Sequence, residues 1–272
     1  MRSRRRFGQH FLEPGWIDKV VAAIAPRPGD RFLEIGPGSG ALTLALAPRV
    51  SELVAVEIDR ELAAGLRPRL PAHVRLIEGD ILELPADALL PGGLAPRTLR
   101  VAGNLPYYIS SPILFRLLAL ARDTGVIADA TVMLQLEVAE RLVAGPGSRT
   151  YGVLSIQAAL DARARLLLRL PPGAFRPRPE VWSAVVRLEF VPALPPPVDR
   201  GEFDGLVRTL FAQRRKTVNN ALKPLARARG LDERRLLGEA SIDGSRRPET
   251  LELQELKRLA DIVATADRSS VV

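Results

Sequence analysis

The sequence predicts an α/β protein: a doubly wound, mostly parallel, seven-stranded sheet followed by a small, all-helical C-terminal domain. Three observations lead there. From about residue 16 to 136, short apolar runs alternate with stretches of helical period, the pattern of βαβ crossovers in a parallel sheet. Two more apolar runs, near 163–170 and 184–190, are separated by the proline-rich Pro171–Pro179 segment and no helix, so they pair naturally as an antiparallel hairpin ending the sheet. Past residue 201 only helical periodicity remains.

Taken in order, the strands are expected at Arg31–Ile35, Leu53–Glu57, Val74–Glu78, Leu99–Gly103 and Thr131–Leu136, with helices near 39–47, 60–70, 111–121 and 137–144 between and after them. Pro192 through Gly201 carries four prolines and reads as a linker. Residues 202–266 then suit three or four helices, broken at Gly230 and Pro248. The expected organisation is therefore 1–191 as one domain, 192–201 as linker and 202–272 as a helical domain.

Composition narrows the chemistry. The 272 residues include no cysteine, and His10 and His73 are the only histidines. A disulfide framework and a thiolate metal site are excluded, and a metal enzyme is not expected. No run approaches the roughly 18 unbroken apolar residues of a membrane span. The basic start, Met1 to Arg6, leads into Phe7-Gly-Gln-His10 rather than a long apolar stretch, so it is not read as a secretory leader. The cytoplasm and a monomeric state are the default expectations.

The formal charge is +8, and it is clustered. Between Asp204 and Asp232 stand seven basic residues and no acid: Arg208, Arg214, Arg215, Lys216, Lys223, Arg227 and Arg229. Arg163, Arg165, Arg169, Arg176 and Arg178 form a second group, and the N-terminal arm a third. A single such cluster is often just a solvated face; three favour a polyanionic partner, whose phosphates release counterions on binding. Arg214, Arg215 and Lys216, read as lying on a helix and fanning over a broad face, are the expected contacts to the phosphates of that partner.

The first strand runs into Glu34-Ile-Gly36-Pro-Gly38-Ser-Gly40, which opens a helix. Glycines there permit a sharp turn and close approach of a ligand to the backbone. A dinucleotide loop has G-x-G-x-x-G spacing; here the third glycine comes one residue early, which suits S-adenosylmethionine better. A tight structural turn would also explain the loop alone. Its companions add weight: Glu57 at the end of the second strand is placed for ribose hydroxyls, and Asp80 after the third for an adenine amino group. Ile58 and Ile81 are placed to flank the purine. Either acid by itself would read as a helix cap or a solvated strand end.

The fourth strand ends in Asn104-Leu-Pro-Tyr107, at the edge where parallel sheets bind ligands. Seen alone, it is a strand-terminating turn with an interfacial tyrosine. Beside a methyl donor its chemistry is specific. The N6 lone pair of adenine is delocalised into the ring, so it is a poor nucleophile. The Asn104 side-chain oxygen and the Pro106 carbonyl would accept from its hydrogens and ease pyramidalisation, and Tyr107 would stack on the extruded base. Positioning and electrostatics then suffice, without a covalent intermediate.

With these blocks the chain resembles the small-subunit ribosomal RNA adenine dimethyltransferases. The resemblance runs from Phe7-Gly-Gln-His-Phe-Leu12 through the glycine loop, Gly103-Asn-Leu-Pro-Tyr-Tyr-Ile-Ser110, Gln135 to Arg141 and Tyr151-Gly-Val-Leu-Ser155. It continues through Ala174 to Val181, Ser183 to Leu188 and Phe211-Ala-Gln-Arg-Arg-Lys-Thr217. It implies a Rossmann-like methyltransferase fold and dimethylation of two adjacent adenines in the 3′-terminal hairpin loop of 16S RNA, a step of ribosome biogenesis. It also implies cofactor contacts at His10, Leu12, Gly36, Glu57, Asp80 and Asn104, and a second base-stacking ring at Phe175. The family often has asparagine where His10 stands and a basic residue where Leu136 stands. Three other readings stay open: a 23S RNA adenine dimethyltransferase of the antibiotic-resistance type, a non-catalytic ribosome-assembly factor, and a methyltransferase for a protein amide or DNA adenine. The blocks around Phe211–Thr217 and the intact glycine and Asn104–Tyr107 motifs favour the first family.

Overall fold

A computed structural model describes residues 10–191 and 195–269; Phe7, Gly8 and Gln9 of the first motif, and the N-terminal basic arm, lie outside the described residues. The chain divides into two compact units, Met1–Glu140 with Ala162–Val191, and Arg141–Asp161 with Pro192–Val272. No helix among the described residues is long and apolar enough to cross a membrane.

In the first unit a two-residue strand β1 (Phe11–Leu12) precedes α1 (Pro14–Ile24). There follow β2 (Arg31–Ile35), α2 (Ala41–Leu46), β3 (Glu52–Glu57), α3 (Arg60–Leu66), β4 (Val74–Glu78), α4 (Ala86–Leu89), β5 (Leu99–Asn104), α5 (Ser110–Thr124), β6 (Ile127–Gln135) and α6 (Leu136–Leu142). After α7 (Val153–Asp161) come β7 (Arg163–Leu170), β8 (Phe175–Arg176) and β9 (Ser183–Glu189). The main sheet has seven strands in the order β4-β3-β2-β5-β6-β9-β7. Its first five are parallel, and β9 runs antiparallel between β6 and β7. The expected mostly parallel sheet and terminal hairpin are thus present. β3 is apolar without a break from Leu53 to Val56, and β2 is apolar but for Glu34, because helices cover both faces of a parallel sheet; Phe32, Leu33, Leu53, Val54 and Ala55 are wholly buried.

Boundaries shift for local reasons. α3 stops at Leu66 and tightens into a 3₁₀ turn at Arg67–Arg69, where Pro68 cannot continue the α-helical ladder. β6 begins four residues before the expected Thr131, because Asp129, which interrupts the apolar run, is neutralised by Arg100 at 2.9 Å. The chain leaves the sheet at Leu136, which starts α6.

The second unit contains α7, then α8 (Arg200–Ala212), α9 (Val218–Ala228), α10 (Glu233–Glu239) and α11 (Leu253–Ser269). Asp199, Thr217 and Asp232 cap the first three of these C-terminal helices through their side-chain oxygens. The expected single boundary at residue 191 needs correction, since residues 141–161 join this unit. Tyr151, Ile156 and Leu160 are buried in the same apolar cluster as Phe203, Leu222 and Leu259. Arg200 on α8 adds an ion pair to Asp161 at 2.8 Å. A second correction concerns the basic triplet. Arg214, Arg215 and Lys216 occupy the turn between α8 and α9, not a helix.

Candidate active site

The sheet order reverses at β2: the chain proceeds outward through β3 and β4, then returns to β5 on the other side. Such a switch point opens a crevice at the carboxyl ends of the two flanking strands. Ile35 is in register with Gly103, so the loop after β2 and the motif at the end of β5 face each other across it. Gly103 is required there; a Cβ would stand 2.6 Å from the Ile35 carbonyl oxygen.

Gly36, Gly38 and Gly40 all have left-handed backbone, with φ of 68°, 58° and 87°. A Cβ at Gly40 would lie 2.3 Å from Leu66 Cδ1, so the leucine would have to shift, and the left-handed backbone itself favours glycine. Glu57 organises the loop from below. Its Oε2 accepts from the Gly38 amide and its Oε1 from the Asp59 amide, each at 2.9 Å. A carboxylate has about four acceptor positions, so lone pairs remain for a ligand. Burial raises the Glu57 pKa, opposed by the Asp59 and Gly38 amides. Asp80 Oδ1 accepts from the Leu82 amide at 2.9 Å.

Asn104 is held by its nitrogen end. Its Nδ2 donates to the His10 carbonyl at 2.7 Å, leaving the side-chain oxygen as the uncommitted end of the amide. The Pro106 carbonyl accepts from the Ile109 amide at 3.2 Å and keeps a second lone pair. Tyr107 is half-buried, its hydroxyl sharing a 2.6 Å hydrogen bond with Ser183 Oγ and one ring face stacked on His10 at 5.2 Å. The His10 Nδ1 donates to the Pro177 carbonyl at 2.7 Å. Burial pushes the Tyr107 phenol up.

One cleft is lined by His10, Leu12, Gly36, Gly38, Glu57, Ile58, Asp80, Ile81, Asn104, Pro106 and Tyr107. The structure therefore brings together residues that are up to 97 positions apart in sequence. Phe175 is the exception. It is 1% exposed, packed in the core beside Leu12 and Ala174, and does not line the cleft. Its expected role as a stacking ring is corrected: strand β8, paired with β1, turns the ring inward, and no face is open to a base. Arg214 also differs from expectation. Its guanidinium is engaged by Glu249 at 2.5 Å and the Ser148 carbonyl at 3.2 Å, whereas Arg215 and Lys216 are exposed.

Two titratable residues of the cleft were given no role in the sequence reading. Glu34 is 1% exposed, and its Oε2 has no hydrogen-bond partner. Burial pushes its carboxyl up to about 8, and the nearby Glu57 charge adds to this. The available signal was an acid inside the apolar strand Phe32-Leu-Glu-Ile35. Tyr108 stands at the rim, 57% exposed; burial and the Asp80 and Glu57 charges raise its pKa.

Comparison with known proteins agrees with this architecture. The family model "Ribosomal RNA adenine dimethylase" matches residues 1–259. The Ribosomal RNA small subunit methyltransferase A of Pseudomonas syringae pv. syringae is 44% identical over 267 residues, covering 97% of this chain and 95% of the relative. The protein of the same name from Chromohalobacter salexigens is 46% identical over 270 residues, covering 97% and 92%. In fold, the crystal structure of a dimethyladenosine transferase from Plasmodium falciparum superposes with a TM-score of 0.74 at 24% identity, covering 92% of this chain and 96% of that one. With a match across nearly its whole length and the Asn104–Tyr107 motif facing a glycine loop, this chain belongs to the ribosomal RNA adenine dimethylase family.

Proposed function

We propose that this protein transfers methyl groups from S-adenosylmethionine to N6 of two adjacent adenines in the 3′-terminal hairpin loop of 16S RNA in the small ribosomal subunit. The observation that carries it is Asn104: an amide anchored through its nitrogen, with its oxygen left to accept, in a cleft that also holds a glycine loop and acids. The small-subunit names of relatives at 42–46% identity support this substrate over a 23S one.

The residues fit the cofactor. The glycine loop lets a ligand approach its backbone, and the Glu34 Oε2 is a buried acceptor without a partner, suited to a cationic ligand. Glu57 is positioned to accept from ribose hydroxyls, Asp80 from the adenine amino group, and Ile58 and Ile81 to flank the purine; His10, Leu12, Gly36 and Gly38 complete the lining. Bound S-adenosylmethionine supplies an electrophilic methyl group on a sulfonium. The protein's own part is to orient and desolvate the nucleophile. Asn104 Oδ1 and the Pro106 carbonyl accept from the N6 hydrogens, which favours a pyramidal nitrogen, and Tyr107 holds the base. Tyr107 is kept in place by Ser183 and His10. The second unit, through exposed cations such as Arg215 and Lys216, holds the RNA backbone. Incubating the protein with labelled cofactor and under-methylated 30S subunits, then mapping the modified base, tests the proposal. Label absent from the two adjacent adenines, or found in 23S RNA, would refute it.

A further inference from the structure

The segment between β8 and β9 carries more than the cleft requires. It is tied to cleft residues at both ends: the Pro177 carbonyl accepts from His10 Nδ1 at 2.7 Å, and Ser183 Oγ meets the Tyr107 hydroxyl at 2.6 Å. Between those ties, Val181 and Trp182 are 45% and 49% exposed. The chain has two tryptophans; Trp16 packs on the core under Lys19 Nζ, while Trp182 is left in water. Its backbone is fixed, since the Leu136 amide donates to the Trp182 carbonyl at 2.8 Å. β9 is antiparallel to β6, so its first residue, Ser183, lies at the carboxyl edge of β6, and Trp182 stands one residue beyond it. Trp182 does not line the cleft.

An exposed indole on a fixed backbone, beside a base-binding cleft, suits a neighbouring base better than the target base. Arg178 in the same segment is exposed and has no ion pair or hydrogen bond among the described residues. Arg169, in register with Ala184, is 60% exposed and paired only loosely with Glu140 at 3.4 Å. Aromatic surface interleaved with cations is the chemistry of a single-stranded nucleic-acid path. We propose that Trp182 is the stacking platform for the nucleotide flanking the target adenine, with Arg178 holding an adjoining phosphate. The positive charge argues for RNA over a protein partner. This inference rests on the proposed RNA substrate, and it gives the second of two adjacent adenines a place to wait while the first is in the cleft.

The test compares parent, Trp182→Ala and Trp182→Phe on under-methylated small subunits, and follows tryptophan fluorescence as a synthetic hairpin RNA with two adjacent adenines is added. Trp182→Ala should raise KM for the subunit about 10-fold, the order expected for loss of one base stack, with kcat changed less than twofold. Trp182→Phe should recover most of the loss. RNA should quench the parent's fluorescence but not that of Trp182→Phe, in which Trp16 alone remains. A parent that methylates the subunit while Trp182→Ala matches its KM, with no quenching, overturns this inference alone and leaves the patch to a protein partner. A parent that does not methylate the subunit overturns the proposed function and this inference with it.

Discussion

Replacing Glu34 with glutamine should change how stability depends on pH. The carboxyl is 1% exposed, leaves Oε2 unbonded and is pushed up from 4.5 to about 8, chiefly by burial. The folded state therefore holds a proton that the unfolded chain releases above pH 4.5. Stability contributed by this group is complete below pH 4.5 and is lost as pH rises to about 8. Each pH unit in that window costs about 1.4 kcal/mol, so the whole window amounts to about 5 kcal/mol. Glutamine cannot ionise. The stability difference, variant minus parent, should therefore grow in favour of the variant by about 3 kcal/mol between pH 5 and pH 7 and flatten above pH 8. Urea unfolding of both proteins at half-unit intervals from pH 4.5 to 9 measures it, because other ionisations cancel in the difference. A difference that stays constant across the range would refute the claim that Glu34 is held protonated. The same group predicts that S-adenosylmethionine, being cationic, releases a proton from the parent at pH 7 and not from Glu34→Gln. Calorimetry in buffers of different ionisation enthalpy reads this directly.

Asn104→Ala should lower single-turnover methylation on the order of 10²-fold or more, and parent-like turnover would remove Asn104 from the chemistry. Phe175→Ala should destabilise the first unit by about 3–5 kcal/mol, as for a buried aromatic; an unchanged melting temperature with selectively weakened RNA binding would restore it as a stacking ring. Neutralising Arg215 and Lys216 together should weaken subunit binding and flatten the plot of log affinity against log salt, leaving cofactor affinity alone. Arg214→Ala should instead lower the melting temperature, since its guanidinium joins Glu249 and the Ser148 carbonyl within the second unit.

The order of the seven main-sheet strands, the hairpin that ends the sheet, and the meeting of the glycine loop with Asn104–Tyr107 were legible in the sequence, whereas helices α1, α4 and α7 were not. Each legible feature rests on local periodicity or on the general rule that parallel sheets bind ligands at their carboxyl edge. Glu57, Asp80, Ile58 and Ile81 could be picked out because each stands at or just after a strand end, a position that chain order alone defines. What escaped depends on distant partners. Residues 141–161 belong with the C-terminal helices because Tyr151, Ile156 and Leu160 find their apolar neighbours there, and periodicity reports that a face is apolar without saying what covers it. The inward turn of Phe175 follows from the pairing of β8 with β1, two short strands too brief to leave a pattern. Three consecutive cations look alike in sequence, yet Glu249 claims Arg214 and leaves Arg215 and Lys216 to solvent. The protonation of Glu34 was likewise decided by the fold, because a carboxyl's charge depends on the water that the packed sheet and helices exclude.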